Sequence, residues 1–376
     1  DSFALLAIPL FMLAGVIMCE AGITQSILNF ANAALGHFTG GLGYATTFTG
    51  VVMAGISGSA NADSAAIGSV MVPAMTDNGY GEAYSVSLIA TAGVLGPIIP
   101  PSIIMIIYAG CTGLSIAALF AAGILPGILI AGFMCAYNYI YAKRAHVPRL
   151  PKLPLKEIGK HFLAAVPALL MPLIIIGGII SGYFTSTEAG AIAVAYGLVY
   201  ALAIGHVKPR ELFRYFCDSA ISSAGPVFIM MASSATTYIF TRLNVATTIT
   251  NWMVGLTNDY YLMLLLIILL VTILGMLIEV SSAMLMAVPI FVSLIPVFGY
   301  DPLYFAAIIV ITFAAGGITP PVGIVLYIVA GIKNTPIRDC VKHILPFVFI
   351  ILLVVILGVF IPDVFLLVPR MMGVWG

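Results

Sequence analysis

Charge is what this chain has least of. Of its 376 residues only 7% are Asp, Glu, Lys or Arg, while 62% are hydrophobic and the mean hydropathy is +1.18. A soluble domain carries about a quarter of its residues charged, so a water-facing globular surface is excluded. The chain reads as an all-α polytopic membrane protein. Excess charge of either sign is missing too, since 14 Lys plus Arg balance 14 Asp plus Glu. No positive field is left to attract nucleic acid. Cysteine is sparse and scattered, at Cys19, Cys111, Cys135, Cys217 and Cys340, which excludes a disulfide framework or a Cys-rich metal motif. The five histidines show no metal-ligand spacing either. A catalytic pair of Asp63 and Glu279 in an intramembrane enzyme is conceivable on paper, but no Ser/His pair, metal cluster or paired-aspartate motif accompanies it. The chain is therefore expected not to be an enzyme. It begins at Asp1, a few residues from an apolar span, so further sequence is expected upstream.

Proline, by contrast, is present where a membrane segment tolerates it least. The apolar stretch 83–110 is long enough to cross a bilayer and contains the run GVLGPIIPPS at 93–102. Pro100 and Pro101 donate no N–H, so in a continuous helix the carbonyls of Gly96 and Pro97 lose their partners. Hydrocarbon offers no replacement. Broken backbone at that depth is tolerated only where it is buried in protein or lines a watery cavity, which makes the run a candidate cation site.

The pattern occurs twice. GGITPPVG at 316–323 puts Pro320 and Pro321 220 residues beyond Pro100 and Pro101, and ILP at 124–126 recurs at 344–346, again 220 on. Upstream, VP at 72–73 recurs at 288–289, an offset of 216, and ILNF at 27–30 loosely matches ITNW at 249–252, an offset of 222. Four matches in order, with small drifts, predict two homologous halves.

Residues 1–142 form the expected first repeat: a span at 3–19, an interfacial helix at 24–37, a re-entrant helical hairpin at 42–75, the broken span 83–110 and a span at 114–141. Residues 143–215 hold a basic loop, 143–161, and two linking spans at 162–180 and 189–205. Residues 216–376 repeat the plan with a crossing at 220–240, a flat helix at 244–256, a hairpin at 260–298, a broken span at 303–331 and a last crossing at 344–368. Each half has an odd number of crossings and the linker has two, so the halves are expected to be inverted. Lys143, Arg144, Arg149, Lys152, Lys156 and Lys160 fix the long loop on the cytoplasmic side. That choice also places Lys208, Arg210, Arg214, Lys333, Arg338 and Lys342 inside, leaving only Arg242 and Arg370 of the 14 basic residues outside.

Four stretches carry a resemblance to a known family: FALLAIPLFMLAG at 3–15, GISGSANADSAAIGSVMVPAM at 55–75, GPIIPPS at 96–102 and GITPPVG at 317–323. Together they resemble the large membrane (M) subunit of tripartite ATP-independent periplasmic (TRAP) transporters over essentially the whole chain. Val16 is a departure, standing where many members carry an acidic residue. The resemblance implies sodium-driven import of a small carboxylate, of the sialic acid or C4-dicarboxylate type, across the bacterial inner membrane. It also implies a periplasmic substrate-binding protein that delivers the cargo, a small membrane (Q) subunit, and an elevator motion of hairpins and broken spans against a scaffold. The nearest alternative is a sodium-coupled dicarboxylate or citrate carrier of similar plan that works alone, and uptake of free substrate without a binding protein would favour it.

The residues at the breaks suit the coupling ion. Sodium is a hard cation that takes carbonyl, hydroxyl and carboxylate oxygens. In the first half the candidate sodium ligands are Ser57, Ser59 and Asn61 at the hairpin tip, with Gly96 and Ser102 at the break. In the second half they are Ser281 and Ser282, with Gly316, Gly317 and Thr319. No Lys or Arg falls in the expected core, so an anionic substrate has to be held by helix N-termini and co-bound sodium. The candidate substrate residues are Asn61, Asp63, Ser64, Pro100 and Pro101, with Glu279, Pro320 and Pro321. Structural roles compete: Asn61 and Ser281 equally suit helix N-caps, Asp63 and Glu279 suit first-turn acids, and Glu188 after Thr185 is better read as a cap.

Overall fold

The structure is a computed structural model that describes residues 3–205 and 209–376. Lys208, one of the basic residues assigned to the cytoplasmic side, lies outside the described residues. A chain with so little polar surface has to close its backbone hydrogen bonds within each segment, and helices do so. Every regular element among the described residues is helical.

The first half runs α1 (Ala7–Glu20), α2 (Ile23–Leu35), α3 (Gly41–Ser57), α4 (Ala60–Asp77), α5 (Glu82–Val94), α6 (Ile103–Thr112) and α7 (Ile116–Arg144). Two helices follow, α8 (Leu155–Ile180) and α9 (Ser186–Ile204). The second half comprises α10 (Pro209–Arg242), α11 (Val245–Leu256), α12 (Tyr260–Leu277), α13 (Val280–Phe291), α14 (Ile295–Phe298), α15 (Pro302–Gly316), α16 (Ile324–Gly331) and α17 (Ile337–Phe360), and α18 (Asp363–Met371) closes the chain. Helices α7, α8, α9, α12 and α17 and the stretch Val280–Phe298 are long and apolar enough to cross a membrane. Helices α1 and α2, bent by 63° at their junction, supply a further candidate if taken as one span.

Each half contains a pair of helices that fold back on each other. In α3 and α4 the Thr46 hydroxyl meets the Met75 sulfur at 3.6 Å, so the two ends farthest from the turn lie side by side. At the foot of the second pair the Tyr300 hydroxyl donates to the Tyr260 carbonyl at 2.9 Å. Each half also contains a helix interrupted at its middle, with α5 stopping at Val94 and α6 starting at Ile103, and α15 stopping at Gly316 and α16 starting at Ile324. Helix α15 is buried from Leu303 to Gly316 and α5 from Tyr84 to Val94, so these two form the interior around which the others pack. Helix α8 lies at the rim, with Leu163 and Leu173 about two-thirds exposed (70% and 67%), as befits a face turned to lipid.

The last crossing differs from the expected 344–368. It begins at Ile337, directly after Pro336, and ends at Phe360, and α18 is a separate short helix. Pro362 is responsible, because proline removes an N–H and drives the preceding residue out of helical geometry, and Ile361 accordingly leaves the helical region (φ −128°, ψ 83°). The glycines at 40–43 serve close packing. A Cβ on Gly43 would sit 2.0 Å from Asn138 Oδ1, and Asn138 uses the space to donate to the Gly40 carbonyl at 2.8 Å while accepting from the Tyr84 hydroxyl at 3.1 Å.

Candidate functional site

Both hairpin tips and both helix breaks meet at one cavity of about 880 Å³, closed on its remaining side by α1 and α10. Local chemistry dictates the shape of the first tip. Helix α3 ends at Ser57 because Gly58 turns to φ +62°, where a Cβ would lie 2.2 Å from the Pro101 carbonyl oxygen. Ser59 is extended and caps α4. The Ser57 hydroxyl donates to Asp63 Oδ1 at 2.6 Å and accepts the Ser59 N–H at 3.1 Å. Asp63 is wholly buried, and its Oδ2 has no hydrogen-bond partner among the described residues. That oxygen faces Gly96, whose hypothetical Cβ would be 2.9 Å away, so a side chain there would crowd the carboxylate.

The first break lies directly behind this tip. Ser102 caps α6, accepting the Met105 N–H at 3.2 Å, and its hydroxyl donates to the Pro97 carbonyl at 2.6 Å. The carbonyl expected to lose its partner to Pro101 is therefore satisfied by a side chain. The Pro100–Pro101 and Pro320–Pro321 bonds are both cis. Ser64 is buried against Gly93, its hydroxyl without a hydrogen-bond partner.

The second tip is built around Glu279. Helix α12 stops at Leu277, Ile278 is extended, and Glu279 caps α13. Its Oε2 accepts the Ser282 N–H at 3.0 Å and the Ser282 hydroxyl at 3.2 Å, and its Oε1 accepts the Ser281 hydroxyl at 3.0 Å. At the second break Gly316 packs against Gly275, where a Cβ would come within 2.6 Å of the Gly275 Cα. The Thr319 hydroxyl bonds back to the Ala315 carbonyl at 2.7 Å. Pro321 is exposed, whereas Pro100 and Pro101 are buried.

Of the residues singled out from sequence, Ser57, Ser59 and Asn61 from the first half and Glu279, Ser281, Ser282 and Gly317 from the second line the cavity. Asp63, Ser64, Gly96, Pro100, Pro101 and Ser102 belong to the buried layer beneath the first tip. Gly316, Thr319, Pro320 and Pro321 also stand outside the cavity wall. Both helices start two residues earlier than Asn61 and Ser281 suggested, so the caps are Ser59 and Glu279. Glu188 forms a capping box with Thr185, its Oε2 accepting the Thr185 N–H at 2.8 Å.

Among the described residues the wall contains two carboxylates, Glu20 and Glu279, and no Lys, Arg or His. Glu20 was not among the residues singled out from sequence, nor were Ser222 and Gly225 of α10, which also line the cavity. A signal for Glu20 did exist, since it is the lone acid closing an apolar helix. Which face of α1 meets the cavity, however, depends on how the hairpin packs: a Cβ on Gly15 would touch the Ser57 Cβ at 3.1 Å.

The family model described as "Tripartite ATP-independent periplasmic transporter, DctM component" matches residues 1–364. The chain belongs to the TRAP transporter family. It is 35% identical over 368 residues to the 2,3-diketo-L-gulonate TRAP transporter large permease protein YiaN of Escherichia coli, covering 98% of this chain and 87% of that one. It is 33% identical to the C4-dicarboxylate TRAP transporter large permease protein DctM of Pseudomonas aeruginosa, covering 99% and 88%. It is also 33% identical to the sialic acid TRAP transporter large permease protein SiaM of Vibrio cholerae, covering 100% and 88%. Among solved structures, the YdaH transporter of Alcanivorax borkumensis shares the fold, with a TM-score of 0.67 at 16% identity over 94% of this chain and 85% of that one. As a TRAP large permease the chain is a transport protein rather than an enzyme, and a multi-pass membrane protein, which in bacteria means the inner membrane.

Proposed function

We propose that this TRAP permease imports a small carboxylate together with sodium, moving both through the cavity between the two hairpin tips. One observation carries the reading. A cavity that is to hold an anion has, among the described residues, no basic side chain and two carboxylates in its wall, so positive charge must arrive with the cargo. Sodium suits the oxygens available. In the first half Ser57 and Asp63, whose Oδ2 is buried and without a partner, would hold one ion, with Ser59, Asn61, Gly96 and Ser102 close by in the chain's fold. In the second, Ser281, Ser282, Gly317 and the neighbouring Gly316 and Thr319 would hold another. The ions would supply the charge that attracts the carboxylate, and the N-termini of α4 and α13 would add their partial positive charge.

The two halves lie in opposite orientation, and the hairpins and broken helices move together against α1, α10 and the linking spans. Support comes from where distant segments touch. Glu20 with Tyr215, Lys333 with Thr76 and Thr335 with Glu82 each join two points that the charge pattern puts on the cytoplasmic side. Trp375 with Asp301 and Tyr261 with Phe360 join points that it puts outside. A periplasmic binding protein delivers the cargo and a small membrane subunit braces the scaffold, as the family's tripartite name implies. The relatives' cargoes, a diketo sugar acid, four-carbon dicarboxylates and sialic acid, are all small carboxylates.

The test is uptake of labelled carboxylates into liposomes holding this permease and its small subunit, with and without a binding protein, under an inward sodium gradient. Uptake should require sodium and the binding protein and vanish when choline replaces sodium. Sodium-independent uptake would overturn the coupling, and uptake of free substrate alone would favour a carrier that works unaided.

A further inference from the structure

We infer that Glu20 reads the far end of the cargo and makes this permease select molecules with one carboxylate and a hydrogen-bond-donating tail over dicarboxylates. The inference rests on the reading of the cavity as a carboxylate site and adds a residue that sets which carboxylates are accepted. Helix α1 presents one face to the cavity through Met12, Gly15, Val16, Cys19 and Glu20, the spacing of a helical stripe. Gly15 on that face abuts Ser57, at the tip where the ion and the cargo carboxylate would be held. Glu20 lies five residues farther along, about 7.5 Å down the helix axis and about 140° around it, at the opposite edge of the same cavity-lining stripe. A cargo anchored at the tip and lying obliquely across this face of α1 therefore brings its other end to Glu20.

What Glu20 offers that end is a carboxylate with capacity to spare. It is exposed on the cavity wall, and across the wall the Tyr215 hydroxyl of α10 donates to its Oε2 at a long 3.4 Å. An ionised carboxylate accepts several hydrogen bonds, so hydroxyl, amide or ammonium groups on the cargo's tail are welcome. A second carboxylate on the cargo meets like charge, with no Lys, Arg or His among the described residues of the wall to offset it. Glu279 does not do this job, because its oxygens are taken up by Ser281 and Ser282 and it sits at the opposite tip.

The experiment compares two probes that differ only at the far carbon, gluconate and glucarate. Their binding to the purified permease with its small subunit in sodium is followed by the concentration needed to raise the thermal midpoint. Wild-type protein should respond to gluconate at about a tenth of the glucarate concentration or less, the ratio expected for a single unfavourable charge contact. Glu20→Gln, an exposed and nearly isosteric change, should bring the two within about threefold, chiefly by improving glucarate. Tyr215→Phe keeps the charge and removes only the hydroxyl, so the wild-type preference should persist. An unchanged ratio in Glu20→Gln, or a wild-type preference for glucarate, overturns the role of Glu20 while leaving the carboxylate site standing. If no carboxylate shifts the wild-type midpoint in sodium, the reading of the cavity falls and this inference falls with it.

Discussion

At the first tip the acid, Asp63, is shut inside the protein four residues past the cap of α4, while at the second Glu279 is itself the cap of α13 and lines the cavity. The backbones differ in the same sense. Gly58 makes the first turn in the left-handed region, pressed on the Pro101 carbonyl, whereas the second turn passes through extended Ile278 and needs no glycine. Behind the first tip the double-proline break is buried, and behind the second Pro321 reaches the surface. One plan has thus been used for two purposes. The first tip is over-determined, its polar atoms held in fixed positions by packing, and the second keeps its acid satisfied by local serines and open to the cavity.

The sharpest way to break this comparison is at two left-handed glycines, Gly58 in the first tip and Gly323 in the second break. Gly58→Ala puts a Cβ 2.2 Å from backbone oxygen at φ +62°, and should cost about 2–5 kcal/mol from strain and overpacking together. Gly323→Ala, at φ +49° with its nearest neighbours 3.1 Å away, should cost about 1–2 kcal/mol. Thermal midpoints of the purified variants check the order, and equal losses would mean that the first tip is no more constrained than the second break.

Next in size is the pair of serines that serve the two acids. Ser57→Ala strips Asp63 of the Ser57 hydroxyl in a fully buried site, and loss of a hydrogen bond to a charged group costs about 1.5–3 kcal/mol. Ser281→Ala leaves Glu279 with both the Ser282 N–H and hydroxyl, and should cost about 1 kcal/mol or less. On the sodium-binding reading both variants also raise the sodium concentration for half-maximal uptake. An unchanged sodium requirement in both variants would overturn the assignment of an ion to each tip.

The same contrast explains what could be read from the sequence. The helix breaks were legible because a double proline cannot continue a helix, and their repetition at an offset of 220 was legible because both halves needed the same break. The hairpin tips were visible as polar runs in apolar surroundings. The caps were displaced by two residues because Ser57, Ser59 and Asn61 are all competent caps, and the choice among them was made by Gly58 folding onto Pro101, a contact across 43 residues of chain. Ser102 as the partner of the Pro97 carbonyl was hidden for a related reason: a residue that caps the next helix can also satisfy the broken one. The end of the last span was set by Pro362, a signal present in the sequence but outweighed there by the apolar run on either side. Glu20 was missed because nothing local says which face of α1 meets a cavity assembled by two hairpin tips, two helix breaks and α10.

The smallest structural effect belongs to Asn61, and for that reason its variant separates binding from folding most cleanly. Asn61 sits in the first turn of α4, exposed to the cavity, two residues from the buried Asp63. Surface substitutions away from special backbone or buried partners change stability by about 0.5 kcal/mol or less, so Asn61→Ala should leave the thermal midpoint where it is. If its amide touches cargo or ion, uptake at low substrate should fall by about tenfold, as for one polar contact worth about 1.4 kcal/mol. Measured beside Ser57→Ala, it divides the first tip in two. A loss of uptake without a loss of stability places the contact at the cavity wall, and a loss of stability at Asn61 would mean that the constrained region extends from the buried layer to the surface of the tip.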